Sequence, residues 1–546
     1  MRSAALALAL ALFAVGCVHE VRLVAEGESH ELRKRPDGAP KSSPSHAPLL
    51  VVALDGIDRD LLYDMLRKGE LPSLAGLLGG GGTFPHAYFE ESLTATLPST
   101  TMAAWSTAFT GVSPAHHGVA GNEFFVREER RLAAPAPASF SDHDPVLAIY
   151  TDQYLNRLLR APTVYERMRR EDPNVLVWVA MQHVYAGADR LLVTRPTVVV
   201  EAFEAAVEEL ATKVVSNRAS RATYAKLDGE AGRVVVSALD ANVLPDVLTV
   251  YFAGTDLYAH VAKEGPDVAR RAYMREIVDP EIAKLADKLR ARHALDDRFV
   301  VVTSDHGHTE VMHDDTHALK PELEAATLAK AGFRVRPFKL DVAKDDDFSA
   351  VIAYGGALAY VYVADRSTCA HEKIPCDWLK PPRFEEDVLP AADAFFKAGG
   401  ETLDMVLTRK PKPFGEDDLP FEVYVGDGKL VPVEAWLAQH PHPTYVDLAA
   451  RLRDLAVGPF GERAGDVLLV AHNGDRDAPA DRYYFAAPYH SWHGSPSHRD
   501  SDIPLVVANA RRSSSDVAVI ARAVLGEHPR QEKITDLMLA IRRLPR

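Results

Sequence analysis

Three short segments place acidic and histidine side chains where a metal ion could be gripped. Asp55 directly follows the apolar run at 49–54, Asp256 and His260 follow the run at 247–253, and Asp305 and His306 follow the run at 299–303. In Asp256-Leu-Tyr-Ala-His260 the carboxylate and the imidazole lie one helical turn apart, so both can face one ion. Asp305 and His306 are neighbours, which suits a non-helical loop from which both side chains swing to one metal. Nitrogen and carboxylate oxygen donors without a thiolate fit zinc, with manganese or iron as alternatives. Each residue alone has an ordinary explanation, since Asp caps helices and His-Gly makes turns. Three coincidences at equivalent positions favour a site.

The elements that must position these residues can be read from the same runs. A continuous apolar run such as 49–54 reads as a strand buried on both faces, and similar runs recur at 175–180, 247–253, 299–303, 467–471 and 503–508. Amphipathic helical stretches lie between several of them, for example 268–292. The alternation predicts an α/β domain whose central sheet is mostly parallel and sandwiched by helices. Ligands of such open sheets bind outside the carboxyl ends of the strands, where the Asp and His residues fall. From about 335 the texture changes to short alternating segments, with 421–425 and 429–433 flanking Gly426-Asp427-Gly428 as a hairpin. The expected organisation is a catalytic core in two parts, 48–334 and 465–546, with an inserted α+β cap over 335–464. The glycines at 79–82 lack the Lys-Ser/Thr and helix of a phosphate loop and read as a turn.

With 546 residues, 47% hydrophobic and 25% charged, the chain can bury a large core and has the composition of a soluble globular protein. A net charge of −15 argues against binding a nucleic-acid polymer through counterion release, yet leaves one pocket free to take a small anionic substrate. Arg2 and the apolar residues 4–15 read as the start of a signal peptide over 1–16, too short to span a bilayer. Ala14-Val15-Gly16-Cys17 resembles a bacterial lipobox, with Ala14 in place of the usual Leu. The expectation is export to the periplasm or cell surface, acylation of Cys17 as the only membrane attachment, and a polar tether over 17–47. In that oxidising compartment the two remaining cysteines, Cys369 and Cys376, are expected to pair as a disulfide closing a small loop. A metal site there would need more soft ligands, and only His371 is near.

One further segment carries a resemblance. Thr101-Met-Ala-Ala-Trp-Ser-Thr-Ala-Phe-Thr110-Gly111, continuing to Asn122, resembles the nucleophile segment of the type I phosphodiesterases and nucleotide pyrophosphatases, in the alkaline-phosphatase superfamily. Thr101 stands ten residues before the glycine of the Thr-Gly pair, as the family's nucleophile does, and Asn122 stands twenty-one residues after Thr101, as its phosphate-contacting asparagine does. The two landmarks select Thr101 over Ser99 and Thr100. The resemblance covers roughly 48–330 and 465–525.

Carried over residue by residue, it implies two zinc ions. Asp55, Asp305, His306 and the Thr101 hydroxyl would hold one; Asp256, His260 and a late histidine would hold the other. That late residue is His493, in Trp492-His493-Gly494, with His490 and His498 as competitors. The implied reaction is hydrolysis of a small phosphoester through a phosphothreonine, with Asn122 donating to a phosphoryl oxygen. Monoesterases of the superfamily carry a Lys-x-Arg pair after a central strand, where this chain has Gln182 and Val184, so a diester is favoured over a monoester. His308 is expected outside the ligands, Asp314-Asp315-Thr316-His317 as a plain acidic loop, and Trp105 beneath the nucleophile helix. A sulfatase is disfavoured because its Cys/Ser-x-Pro-x-Arg context is missing. A phospho-head-group transferase would usually bring transmembrane helices, and a binding protein without catalysis would not need all seven competent positions. Nucleotides, phospholipid head groups and cell-wall phosphodiesters all remain open as substrates.

Overall fold

The computed structural model describes residues 18–34, 46–80, 82–139, 142, 144–212, 217–343, 346–369, 374–411, 415, 419–474, 478–485 and 488–546. The expected signal peptide, Cys17 and residues 35–45 of the expected tether lie outside them. Residues 18–34 depart from the tether reading. They form a helix, Val18–Glu26, and a strand, Ser29–Glu31, which pairs antiparallel with Arg190–Leu192. The physical reason is an open sheet edge, whose free N–H and C=O groups recruit even a polar segment.

Among the described residues eight strands form the main sheet. Their order is Ser29–Glu31, Arg190–Leu192, Val177–Ala180, Val247–Phe252, Leu49–Leu54, Phe299–Ser304, Leu505–Asn509 and Ala87–Glu90. The pairings from Arg190–Leu192 through Phe299–Ser304 are parallel, and the outer ones are antiparallel. The architecture is the expected α/β fold, a large and mostly parallel sheet flanked by helices. Leu49–Leu54 is buried throughout and lies between the two other strands that carry site residues. Leu54 is in register with both Phe252 and Ser304, so all three strands end at one level.

The helix expected over 268–292 is continuous from 266 to 291 but contains a wide π turn, Met274–Val278, between Pro266–Tyr273 and Asp279–Ala291. Pro280 explains it. Proline lacks an N–H and its ring collides with the carbonyl four residues back, which a wider turn avoids.

A second sheet of six strands is antiparallel, in the order Ala350–Gly355, Leu358–Val363, Val467–Ala471, Leu403–Arg409, Phe421–Tyr424 and Leu430–Pro432. Val467–Ala471, expected in the second part of the core, is instead a central strand of this sheet. A strand covered on both faces is a continuous apolar run in either sheet type, so the run alone does not assign it. The cover comes from two sides, as the two-residue period requires. Leu358, Tyr360, Leu468 and Val470 face the main core, while Ala359, Val361, Val467 and Leu469 pack with Ala391, Ala392 and Phe395 of helix Leu389–Gly399. Cys369 and Cys376 form a disulfide beside this sheet. Among the described residues no helix is long and apolar enough to cross a membrane.

The second sheet also reaches the site. Its Gly355–Leu358 turn abuts the loop of His493, with the Ala357 N–H donating to His493 O at 3.1 Å. Gly356 has φ +74°, and a Cβ there would lie 1.9 Å from His493 O, so only glycine fits this contact.

Candidate active site

The level strand ends bring Asp55, Asp256 and Asp305 together. Asp55 follows its strand directly, and Asp305 opens the loop after Ser304. Asp256 and His260 ride on helix Gly254–Val261, one turn apart on the same face. The N-terminus of that helix is fixed by Asp228, which accepts from the Ala253 and Gly254 N–H groups at 3.1 Å. Thr101 is the first residue of helix Thr101–Thr110, whose interior Trp105 is fully buried against Tyr251, as expected of a residue packed beneath it. A small antiparallel pair, Thr309–Glu310 with Ser491–Trp492, fastens the loop after His306 to the segment carrying His493.

Two groups of donor atoms result. Asp256, His260, His308 and His493 contribute one set within 4.8 Å of one another, and Asp55, Asp256 and His306 contribute another. The sets share Asp256 and are therefore contiguous. His306 Nε2 lies 3.6 Å from Asp55 Oδ1, 3.4 Å from Asp305 Oδ2 and 3.3 Å from the Thr101 hydroxyl. His260 Nε2 lies 3.5 Å from Asp256 Oδ2, and His493 Nε2 lies 3.7 Å from Asp256 Oδ1.

The hydrogen bonds around these rings fix where their protons sit. His260 Nδ1 contacts Ser491 O at 2.8 Å, His306 Nδ1 contacts Gly307 O at 3.0 Å, and His493 Nδ1 contacts Ser99 O at 3.0 Å. A carbonyl oxygen only accepts, so each Nδ1 carries the hydrogen and each Nε2 offers a lone pair inward. Thr101 accordingly donates its hydroxyl to His306 Nε2.

The carboxylates are under-satisfied. Asp55 accepts the Tyr251 hydroxyl on Oδ2, but its Oδ1 and the Oδ2 of Asp305 are buried with no hydrogen-bond donor. Burial, with Asp305 and Asp256 as like charges, pushes Asp55 well above the usual carboxylate range. Burial also raises Asp305, with Asp256 adding to it. Asp256 is buried too, and its Oδ1 and Oδ2 face His308 Nε2 at 2.6 Å and His260 Nε2 at 3.5 Å. Orphaned carboxylate oxygens facing imidazole lone pairs are an arrangement that cations complete. The residues therefore fit a divalent metal centre.

The competitors for His493 lie elsewhere. His490 stacks on His313, and His498 pairs with Asp502 at 3.1 Å with its side chain 56% exposed. Asp314 accepts from the Thr316 and His317 N–H groups and from the His317 ring, so that loop caps itself. Asn122 accepts the Met102 N–H on Oδ1 at 3.0 Å and lines a cavity of about 210 Å³ beside Thr101. Met181 and His183 also line it, whereas Gln182 is fully buried and turns its carbonyl to its own backbone neighbours.

One contributor, Tyr251, was not foreseen. Tyr251 orients Asp55; a phenol hydroxyl inside the apolar run at 247–253 was the available signal. His308, expected outside the ligands, is 1% exposed and sits 2.6 Å from Asp256.

Residues 49–374 match the family model described as type I phosphodiesterase / nucleotide pyrophosphatase. Among solved structures, murine ectonucleotide pyrophosphatase / phosphodiesterase 5, inactive and in complex with AMP, is similar with a TM-score of 0.49 and 13% identity over 91% of this chain and 95% of that one. The human ectonucleotide pyrophosphatase / phosphodiesterase 5 gives 0.48 and 10% over the same shares. The family match spans more than half of the residues, and the chain belongs to the type I phosphodiesterase / nucleotide pyrophosphatase family.

Proposed function

We propose that the protein is a metal-dependent phosphodiesterase that attacks phosphorus with Thr101. The observation that carries this reading is the pair of contiguous Asp/His groups, with unpartnered carboxylate oxygens, within reach of the Thr101 hydroxyl. Asp55, Asp305 and His306 would hold one ion and Asp256, His260 and His493 the other, zinc being the best match to the donors. Bound divalent cations supply positive charge that lowers the pKa of a hydroxyl and offsets charge gathering on phosphoryl oxygens.

The chain's own residues do the rest. Thr101 Oγ1, relieved of its proton, forms a bond to phosphorus while the bond to the leaving alcohol oxygen breaks. That oxygen takes up a proton, and water then cleaves the phosphothreonine, restoring the Thr101 hydroxyl and releasing a phosphomonoester. Because Asn122 Oδ1 is tied to Met102 N–H, its Nδ2 is left to donate to a phosphoryl oxygen. Tyr251 holds the Asp55 carboxylate in place.

The cavity beside Thr101 favours a diester. Its walls include Val146, Met181, Leu227, Leu257 and Trp492, and among the described residues no lysine or arginine lines it. A dianionic monoester would find no cationic side chain there, whereas a monoanionic diester with an uncharged leaving group needs none. Turnover of bis-p-nitrophenyl phosphate should exceed that of p-nitrophenyl phosphate, and a ratio well below one would instead mark a phosphomonoesterase. Thr101→Ala should abolish turnover of both while metal content stays unchanged.

We also propose export and acylation at Cys17. The Cys369–Cys376 disulfide suits an oxidising compartment. Labelled palmitate should enter the full-length chain in its host and be absent from Cys17→Ala.

A further inference from the structure

The position of His308 lies outside the ligands that the family resemblance implies, and the fold nevertheless draws its ring into the site. We propose that His308 is itself a metal ligand, its Nε2 joining Asp256, His260 and His493 as the fourth protein donor to one ion. This rests on the two-ion reading above.

The proton positions carry the inference. His308 Nδ1 lies 3.1 Å from Ser491 Oγ, and that hydroxyl has its single hydrogen directed to Ala259 O at 2.7 Å. The ring must therefore donate from Nδ1 to Ser491 Oγ, as His260, His306 and His493 donate from theirs to carbonyl oxygens. Its Nε2 is then a lone pair, aimed at Asp256 Oδ1 only 2.6 Å away. Two lone pairs at that distance repel unless a cation lies between them or a proton is added. The cation is already called for by Asp256, His260 and His493, whose ligand atoms and His308 Nε2 all lie within 4.8 Å of one another.

The backbone makes room for this ring and fixes it. Gly56 has φ +67°, and a Cβ there would come within 2.9 Å of the His308 ring and of Asp256 Cβ. Any other residue after Asp55 would push the imidazole out. Immediately beyond His308, Thr309 pairs with Trp492, so the segments bearing His308 and His493 are fastened side by side.

One carboxylate and three imidazoles make a closed four-donor set. The other proposed ion, at Asp55, Asp305 and His306, keeps a place for Thr101. The two ions would thus be unlike, one retained by protein alone and one completed by the nucleophile.

The test is NMR of the full chain carrying 15N-labelled histidine and loaded with 113Cd in place of zinc. The expected result is a cadmium–nitrogen coupling at His308 Nε2, alongside those of His260, His306 and His493. His308→Phe, which keeps a ring but no donor, should lose that signal alone, and its affinity for one of two cadmium ions should fall more than about 100-fold, beyond the 10–100-fold typical of losing an outer partner. A His308 Nε2 that carries a proton and shows no coupling, in protein with two bound ions, overturns the inference. Failure of the unmutated chain to bind cadmium overturns the two-ion reading itself. The coupling is read on the unmutated chain, so a misfolded variant leaves the test standing.

Discussion

In the second sheet Asp404 sits among His442, His472 and Tyr445, while at the strand ends Asp55, Asp256 and Asp305 sit among His260, His306, His308 and His493. Composition alone would not tell the two groups apart. Asp404 has every demand met: it accepts from the His442 ring at 3.1 Å, from the His472 ring, from the Tyr445 hydroxyl and from the Asn473 N–H at 3.2 Å. Though burial opposes its charge, the hydrogen bonds from His442 and His472 hold it below the usual carboxylate range. Asp55 and Asp305 each keep a buried oxygen with no donor, and burial raises both. Hydrogen-bond satisfaction, not residue type, separates a network that is finished by protein from one that waits for a cation.

The largest effect expected from breaking this contrast is at Asp55. Asp55→Asn should lose one metal ion and reduce turnover by at least about 1,000-fold, beyond the range seen for a single charge-stabilising donor. A carboxyl whose pKa is raised on folding costs stability at every pH above its ordinary value, and neutral Asn removes that cost. Stripped of metal at pH 7, Asp55→Asn should resist urea better than the unmutated chain; with zinc present the order should reverse, because ligation favours the folded state of the intact site. The same order with and without zinc would mean that Asp55 is no ligand.

Asn122→Ala comes next, with a loss of roughly 100–1,000-fold in kcat and both ions retained, since it removes one donor to the phosphoryl group. A change confined to KM would take Asn122 out of the transition state.

Asp404→Asn should have the smallest effect on turnover, none, with metal content unchanged. Its cost is in the fold, about 1–3 kcal/mol in urea unfolding at pH 7 for breaking a buried hydrogen-bonded network. Because the folded-state pKa of Asp404 is depressed, that contribution is present above its unfolded value near 4 and is lost as pH falls below it. The gap between variant and parent should therefore narrow in acid. Loss of zinc from this variant would contradict the distinction between the two networks.

The strand-end site was legible because its chemistry is written in local spacing. Asp55, Asp305 and the Asp256–His260 pair each stand just after a buried run, and the parallel sheet does the rest by ending those runs at one level. His493 came from the family resemblance, and the Gly355–Leu358 turn that seats its loop had no signature. Tyr251 escaped because its partner, Asp55, lies 196 residues away. The Asp404 network escaped for the same reason, its histidines being 38 and 68 residues distant. Val467–Ala471 was recognised as a buried strand but placed in the wrong sheet, since apolar runs report burial and not neighbours.

The proposed two-metal centre beside Thr101 can be seen by anomalous diffraction at the zinc edge, from crystals of the zinc-loaded chain. Two peaks are expected about 3.5–4 Å apart, one against Asp55, Asp305, His306 and Thr101 and the other against Asp256, His260 and His493. A map with no peak there, and with those side chains hydrogen-bonded to one another as Asp404 is to its histidines, would contradict it.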